Sequence, residues 1–448
     1  MPKRRCPIRN ILVLGSGFVA GPFVRYFLDR PDTAVRVGDL DPARALALAG
    51  SHAHASGFGL DLNDAAALDA EIGRADLVVS LVPYAFHPVV ARACIRRRKS
   101  MVTTSYVSPA MKSLDADARA AGIVILNEVG LDPGIDHMES MRIIDEVRRK
   151  GGKVLGFTSY CGGLPAPDSN TNPFGYKFSW SPRGVLLAGT NSARYLEDGR
   201  EILIPAADLF DHYSLVPVAG LGVFEGYPNR DSLPYKEIYG IAEAKTMFRG
   251  TFRYPGWCRT LKKIADLGYL DQNERNLTGK TVQALTAELA GSNVASAAKS
   301  AVALRLALDP AGEIIGRMEW LGLFGPETVE PAKGSPLDVL ERIMLKKLRY
   351  APGERDMIIL RHEIVAERSD GRRERITSTL IAYGIPGGDT SMARTVGLPA
   401  AIGARLILEG RLARRGVLIP VYPEIYGPIL NELRDHGIVF REEIRNAE

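Results

Sequence analysis

NILVLGSGFVA, residues 10–20, decides the fold. Ile11–Leu14 is a run of branched apolar residues long enough for one buried strand, and Gly15 and Gly17 follow at once. Val19, Phe23 and Phe27 then recur every four residues, with Val24 and Leu28 beside them, which predicts an apolar helix face. Strand, glycine turn and helix in that order are the context in which a G-x-G pattern predicts a dinucleotide-phosphate site. Gly15 and Gly17 free the backbone for the turn and let a pyrophosphate approach the main chain. Ser16, Phe18 and Val19 complete the turn, and the helix start adds N–H groups and a partial positive charge. Ala20 stands where the usual pattern has its third glycine, and is small enough for close helix–strand packing.

Outward from this stretch, strands and helices alternate. Val35–Val37 is a second strand ending at Gly38-Asp39, and a helix over Pro42–Ala49 follows. Asp76–Val82 reads as a strand buried on both faces, Pro88–Arg97 as helix, Ser100–Thr104 as strand, Ala110–Ala121 as helix and Ile123–Leu126 as strand. The pattern predicts an α/β protein built on a Rossmann-type, doubly wound parallel sheet. Right-handed crossovers gather the strand ends on one edge, so Gly15–Ala20, Asp39, Val82-Pro83-Tyr84, Ser105-Tyr106 and Asn127–Asp132 are expected to cluster there.

Farther along, Asp132-Pro133 reads as the start of a helix running to about Lys150, with Asp132 as its N-cap. Val154–Tyr160 reads as a strand broken by Cys161-Gly162-Gly163, followed by a loop-rich insertion to about Arg200. Helical patterns at Thr260–Leu267, Thr281–Ala290, Val294–Leu306 and Pro336–Leu348 suggest an all-α subdomain over 258–350. Met357–Arg368 and Glu374–Tyr383 flank a Ser-Asp-Gly turn as a hairpin. A long helix over Met392–Glu409 and a tail ending in a strand at Ile438–Phe440 could return to the first domain. The expected division is a dinucleotide domain over 1–130, completed by about 392–448, an α/β substrate domain over 131–257 and 351–391, and the helical subdomain.

The chain has 448 residues, 46% hydrophobic and 24% charged, with net charge +5, which suits a multidomain globular protein and gives no nucleic-acid signature. Lys3, Arg4 and Arg5 before an apolar run imitate a secretory signal, but Gly15, Gly17 and Gly21 interrupt it. No uninterrupted apolar stretch reaches a membrane span. The four cysteines Cys6, Cys94, Cys161 and Cys258 form no C-x-x-C pair, which argues against a metal site and for a reducing cytoplasm.

Asp39 lies 24 positions after Gly15, near the offset of the acid that binds the adenosine ribose. A carboxylate there repels a 2′-phosphate, so NAD is expected rather than NADP. Asp41 is a competing candidate. Ser105-Tyr106 and Asp132 sit where a nicotinamide or substrate would lie, while Cys161 reads as a small buried residue and His87 as a helix-capping one. Arg230 and Arg253 read as surface ion-pairing residues unless their segments cover the cleft, where guanidinium forks suit carboxylates.

Together these segments resemble saccharopine dehydrogenase of the glutamate-forming type. The resemblance rests on VLGSGFVAGP (13–22), SLVPYAFHPVVA (80–91), TTSYVSPAM (103–111), NEVGLDPGIDHM (127–138), SYCGGLPAPDSNTNPFGYKFSWSPRGVLL (159–187), YPNRDSLPY (227–235) and FRGTFRYPGW (248–257). It implies cofactor contacts at Ser16 and its turn, Asp39, Arg44, Val82, Thr104, Ser105 and Leu131. It implies substrate contacts at Ser105, Tyr106, Asp132, Arg230, Thr251, Phe252 and Arg253, with Asp132, Tyr106 and Cys161 at the reacting centre. It also implies a homodimer acting on a small amino-acid substrate. NADP-dependent relatives are expected to carry a base in place of Asp39.

The implied reaction interconverts saccharopine with L-glutamate and 2-aminoadipate 6-semialdehyde through an imine, in lysine metabolism, and Asp132, Tyr106 or water could move the proton. Two other readings share the scaffold: a carboxynorspermidine or homospermidine synthase-like reductase, and a non-catalytic dinucleotide-binding protein. The first calls for acids in place of Arg230 and Arg253. The second does not need Ser105, Tyr106, Asp132 and both arginines together.

Overall fold

Ile11–Leu14 forms the buried core of the strand Arg9–Leu14. The helix Ala20–Leu28 follows the glycine turn and buries Phe23, Val24 and Phe27, the face marked by the four-residue spacing. Burying one such phenylalanine is worth about 1.5–3 kcal/mol. The structure, a computed structural model, describes residues 8–330 and 332–447; Lys3, Arg4, Arg5 and Cys6 lie outside the described residues.

The strands in the first part of the chain are β1 (Arg9–Leu14), β2 (Thr33–Asp39), β3 (Ala55–Gly59), β4 (Leu77–Ser80), β5 (Ser100–Thr103) and β6 (Val124–Leu126). Then come β7 (Lys153–Pro165), β8 (Ala193–Glu197), β9 (Arg200–Ile204), β10 (Ser214–Val218), β11 (Gly222–Pro228) and β12 (Thr246–Arg253). The last are β13 (Arg275–Asn276), β14 (Lys333–Gly334), β15 (Asp356–Glu367), β16 (Arg373–Tyr383), β17 (Gly416–Leu418) and β18 (Phe440–Asn446). Two compact units divide them: one runs to Gly152 and includes Gly388–Arg441, the other is Lys153–Gly387 with the residues from Glu442 on.

The first unit holds a seven-stranded sheet in the order β17-β6-β5-β4-β1-β2-β3, its paired neighbours all parallel. This is the doubly wound α/β sheet expected from the alternation, and its strand order reverses beside β1, where such folds bind ligands. The helix Ser391–Leu408 packs on the first helix so closely that a Cβ on Gly397 would stand 2.8 Å from the Val19 carbonyl oxygen. β17 extends the sheet edge through parallel pairing with β6. The alternation missed β3 and the helix Ala65–Gly73. β3 reads ASGFG, and its Gly57 is required because a Cβ there would lie 2.4 Å from the Ala45 backbone. The helix expected over Ala110–Ala121 is two short ones, Pro109–Lys112 and Asp115–Ala120.

The second unit carries a mixed sheet in the order β10-β11-β12-β7-β15-β16-β18, with β8 on β12 and β9 on β8. The break expected at Cys161-Gly162-Gly163 is absent: β7 is one strand of 13 residues, paired with β12 and β15. Gly162 makes room in place of ending it, since a Cβ there would stand 2.7 Å from Phe252 Cβ. The insertion after it also holds the helix Pro182–Ala188 and β8. Five helices, Trp257–Asp266, Val282–Leu289, Ala298–Arg305, Glu313–Leu321 and Pro336–Lys347, share one apolar core with the sheet, in which Trp257, Met318 and Leu340 join Phe174, Phe224 and Phe252. The helix Glu313–Leu321 went unread, and the final strand is β18 rather than Ile438–Phe440. No helix among the described residues is long and apolar enough to cross a membrane.

Candidate active site

The glycine turn lies where β1 and β4 run side by side. Gly15 has φ of 98°, and a Cβ on it would meet the Leu81 carbonyl oxygen at 2.9 Å and the Val82 nitrogen at 3.2 Å. Gly17, by contrast, has nothing within 4 Å of a built Cβ. That open space is the cradle a pyrophosphate requires, and the turn leads through exposed Phe18 and half-buried Val19 to the helix at Ala20. The residues present therefore fit a dinucleotide.

Asp39 serves the turn. Its Oδ2 accepts hydrogen bonds from Ser16 N at 2.7 Å and Ser16 Oγ at 2.6 Å, and its Oδ1 accepts from Asp41 N at 3.0 Å. Partial burial works against its charge, but these hydrogen bonds and nearby Arg44 outweigh it and hold the carboxyl below the usual range. Arg44 is exposed and donates to the Ser16 carbonyl oxygen at 3.4 Å. Asp41, the rival ribose candidate, caps the helix Pro42–Ala49 by accepting from Ala43 N at 2.9 Å.

The ends of β4 and β5 carry a second group. His87 opens the helix His87–Arg97, but the capping role expected of it is absent: the N-cap position belongs to Phe86, with no side-chain cap bond. Its buried ring instead joins Ser80 to Ser105 and Thr103. Thr104 and Ser105 follow, both half-buried, then Tyr106, whose Oη donates to Asp132 Oδ1 at 2.9 Å. Behind them, Glu128 Oε1 accepts from Val107 N at 2.8 Å, and its Oε2 lies 2.8 Å from His137 Nε2. Glu128 is 6% exposed and has φ of 56°, a sparsely populated conformation of the kind that concentrates at functional sites. Sequence reasoning missed both Glu128 and His137 as supports; the one available signal was their place in NEVGLDPGIDHM.

Asp132 is not the helix cap expected of it. The helix begins at Ile135 with Gly134 at the N-cap position, which leaves the Asp132 carboxylate for Tyr106. Buried Leu131 sits in the same tight loop. Gly134 has φ of 150°, and a Cβ there would stand 2.1 Å from the Gly130 carbonyl oxygen. Gly134→Ala is accordingly expected to displace the loop and lower Tm by several degrees or more, a cost of about 3 kcal/mol. Gly17→Ala, entering empty space, should leave Tm within about two degrees. Thermal melts of the two variants check this; equal melting temperatures would refute the steric argument.

The remaining candidates are in the second unit. Cys161 is 9% exposed on β7, in register with Thr251 of β12 and Leu360 of β15. Thr251, Phe252 and Arg253 end β12; Phe252 is core, stacked on Tyr160 with ring centroids 4.8 Å apart. Arg253 is no surface residue. It is 3% exposed, and its guanidinium carbon lies 5.0 Å from the Tyr176 ring centre, 5.4 Å from Trp257 and 5.8 Å from Tyr227. Nη1 donates only to the Phe252 carbonyl oxygen at 2.8 Å, and among the described residues neither Nε nor the nearby Trp257 Nε1 has a hydrogen-bond partner. A buried guanidinium without a carboxylate is poised to receive one.

Arg230 is placed differently. It is exposed, has φ of 56°, and lines an open pocket of about 290 Å³ with Asn191, Ser192, Arg194, Leu203 and Asp231. Arg253 lies opposite Glu225, so Arg230 is five positions along β11 and its turn, roughly 16 Å at 3.3 Å per residue.

Two family models match the chain, and they meet between residues 126 and 130 rather than at the borders of the two compact units. Residues 11–126 match the family model described as Saccharopine dehydrogenase NADP binding domain, and residues 130–438 match Saccharopine dehydrogenase C-terminal domain. The chain is 41% identical to Saccharopine dehydrogenase [NADP(+), L-glutamate-forming] of Pyricularia oryzae, over 97% of this chain and 99% of that protein. It is also 41% identical to the protein of that name from Saccharomyces cerevisiae, over 97% and 99% respectively. The solved structure of apo histidine-tagged saccharopine dehydrogenase (L-Glu forming) from Saccharomyces cerevisiae superposes with a TM-score of 0.88 at 41% identity, covering 98% of this chain and 100% of that one. These names overturn the expectation of NAD: the relatives are named for NADP(+), as is the N-terminal family model. The physical reason is local. Three hydrogen bonds turn the Asp39 carboxylate onto Ser16 and Asp41, and the exposed Arg44 at the Ser16 carbonyl brings a positive charge that offsets it toward a 2′-phosphate.

Proposed function

The chain belongs to the saccharopine dehydrogenase family, and we propose that it catalyses the reversible, NADP-dependent oxidation of saccharopine to L-glutamate and 2-aminoadipate 6-semialdehyde. The observation that carries the substrate class is Arg253, a buried cation whose surroundings supply three aromatic rings and no ion-paired carboxylate among the described residues. Saccharopine brings three carboxylates and a secondary amine. A polyamine-derived substrate would call for acids where this chain has Arg253 and Arg230. Initial rates with saccharopine and NADP, against carboxynorspermidine and NADP, test the reading; faster turnover of the polyamine adduct would sink it.

The first unit holds the cofactor. Gly15 and Gly17 shape the turn, Ser16 is locked by Asp39, and Val82, Thr104, Ser105 and Leu131 line the strand ends. NADP held there would supply the hydride acceptor for the carbon beside the secondary amine. Arg44, exposed beside the Ser16 carbonyl, supplies the positive charge for the 2′-phosphate. A charge-assisted hydrogen bond of this kind is worth about 1.5–3 kcal/mol. Arg44→Ala is therefore expected to raise KM for NADP about 10- to 100-fold and to leave KM for NAD nearly unchanged. An equal rise for both cofactors would remove Arg44 from the 2′-phosphate.

Oxidation leaves an imine on the substrate, and water must add to it before glutamate departs. Tyr106 and Asp132 share a hydrogen bond through which a proton can pass as water attacks and the amine leaves. Arg253 holds one substrate carboxylate in the second unit, Thr251 and Cys161 stand in register beside it, and Arg230 reads a separate carboxylate. Catalysis is then largely orientation of the reacting carbon, which fixed strand-end residues provide.

A further inference from the structure

His87 takes no part in the chemistry proposed above, yet it touches Ser105, one of the residues that the reading depends on. It stands between the ends of β4 and β5, 2% exposed. Its Nδ1 is 2.8 Å from Ser80 Oγ, and its Nε2 is 2.8 Å from Ser105 Oγ and 3.1 Å from Thr103 Oγ1. A neutral imidazole has one N–H and one lone pair, so its two nitrogens impose opposite hydrogen-bonding roles on the hydroxyls at either side. Whichever role Ser80 takes at Nδ1 decides what Nε2 offers Ser105.

We propose that His87 is a positioning residue: hydrogen-bonded to Ser80 at one ring nitrogen and to Ser105 at the other, it sets the rotamer of Ser105 and the direction in which the Ser105 hydroxyl presents its proton to cofactor and substrate. The inference rests on the dehydrogenase reading for the role of Ser105. Burial supports the neutral ring, pushing the His87 pKa down to about 4. Thr103 Oγ1 also receives the Ser105 backbone N–H at 3.4 Å, so the Thr103 hydroxyl ties the Ser105 main chain to the ring.

A double-mutant cycle tests this with full-length His87→Leu, Ser105→Ala and the double variant, each normalised to folded protein by its thermal melt. Both kcat/KM for saccharopine with NADP and the affinity for NADPH, read by its fluorescence, are measured. His87→Leu should lower at least one of them about tenfold in the Ser105 background, and less than about twofold once Ser105 is alanine. His87→Gln, whose amide reaches the Nε2 position, should restore most of that loss. Independent, multiplying losses in both quantities, or a fall in Tm with both unchanged, would overturn the proposal. A wild-type protein that fails to oxidise saccharopine would sink the function reading alone, because the NADPH cycle still decides for or against His87.

Discussion

Arg253→Met is expected to lower kcat/KM for saccharopine by on the order of 100- to 1,000-fold while leaving Tm of the ligand-free protein unchanged or higher. The two halves of this result have one cause. Arg253 is 3% exposed, with its charge among the rings of Tyr176, Tyr227 and Trp257 and its Nε without a hydrogen-bond partner among the described residues. Desolvating a guanidinium costs free energy that cation–π contacts of about 0.5–2 kcal/mol each only partly offset. Methionine keeps a similar shape without the charge, so the free protein loses a liability. The substrate carboxylate loses its charge-assisted partner, a change worth about 2–5 kcal/mol when such a pair is broken. Steady-state kinetics and a thermal melt on one preparation read both. A fall in Tm of more than about five degrees with unaltered kinetics would make Arg253 structural.

Asp132→Asn should lower kcat at least about 100-fold, with KM for saccharopine changed less than about fivefold. The side chain keeps its size and can still accept from Tyr106 Oη, the hydrogen bond seen at 2.9 Å, so the fold around it is retained. What is lost is the carboxylate that can take a proton. Because the helix cap falls on Gly134, Asp132 carries no capping duty that the amide would disturb. Tyr106→Phe should cost less, about tenfold, since water can replace a phenolic relay more readily than a carboxylate base. Single-turnover rates separate the chemical step from release. An Asp132→Asn enzyme within about threefold of wild type in that step would remove Asp132 from proton transfer.

The sheet of the first unit was readable because its strands hold short runs of branched apolar residues, such as Ile11–Leu14 and Leu77-Val78-Val79, buried on both faces of a parallel sheet. β3 was not readable because ASGFG carries almost no apolar signal; its Gly57 answers to the Ala45 backbone, which periodicity cannot reveal. The same limit explains the broken strand expected at Cys161, where Gly162 admits Phe252 from a neighbouring strand in place of ending the element.

At the site, position was legible and partnership was not. The offset from Gly15 found Asp39 at the end of β2, but nothing in spacing says that Ser16 and Asp41 consume its oxygens. Arg253 read as a surface ion-pairing residue because FRGTFRYPGW mixes charge with aromatic residues, and only the packing of Tyr176, Tyr227 and Trp257 around it shows the burial. His87 was misread for the same reason, since its partners Ser80 and Ser105 come from the ends of two different strands.

The central claim is that this chain uses NADP to oxidise saccharopine at the carbon on the aminoadipate side of the secondary amine, so that the nitrogen leaves with glutamate. The most direct measurement mixes wild-type protein with saccharopine and NADP, follows NADPH by absorbance, and quantifies the amino acids released. One glutamate per NADPH, with a higher kcat/KM for NADP than for NAD, is the predicted result. No NADPH, or lysine released in place of glutamate, would contradict it.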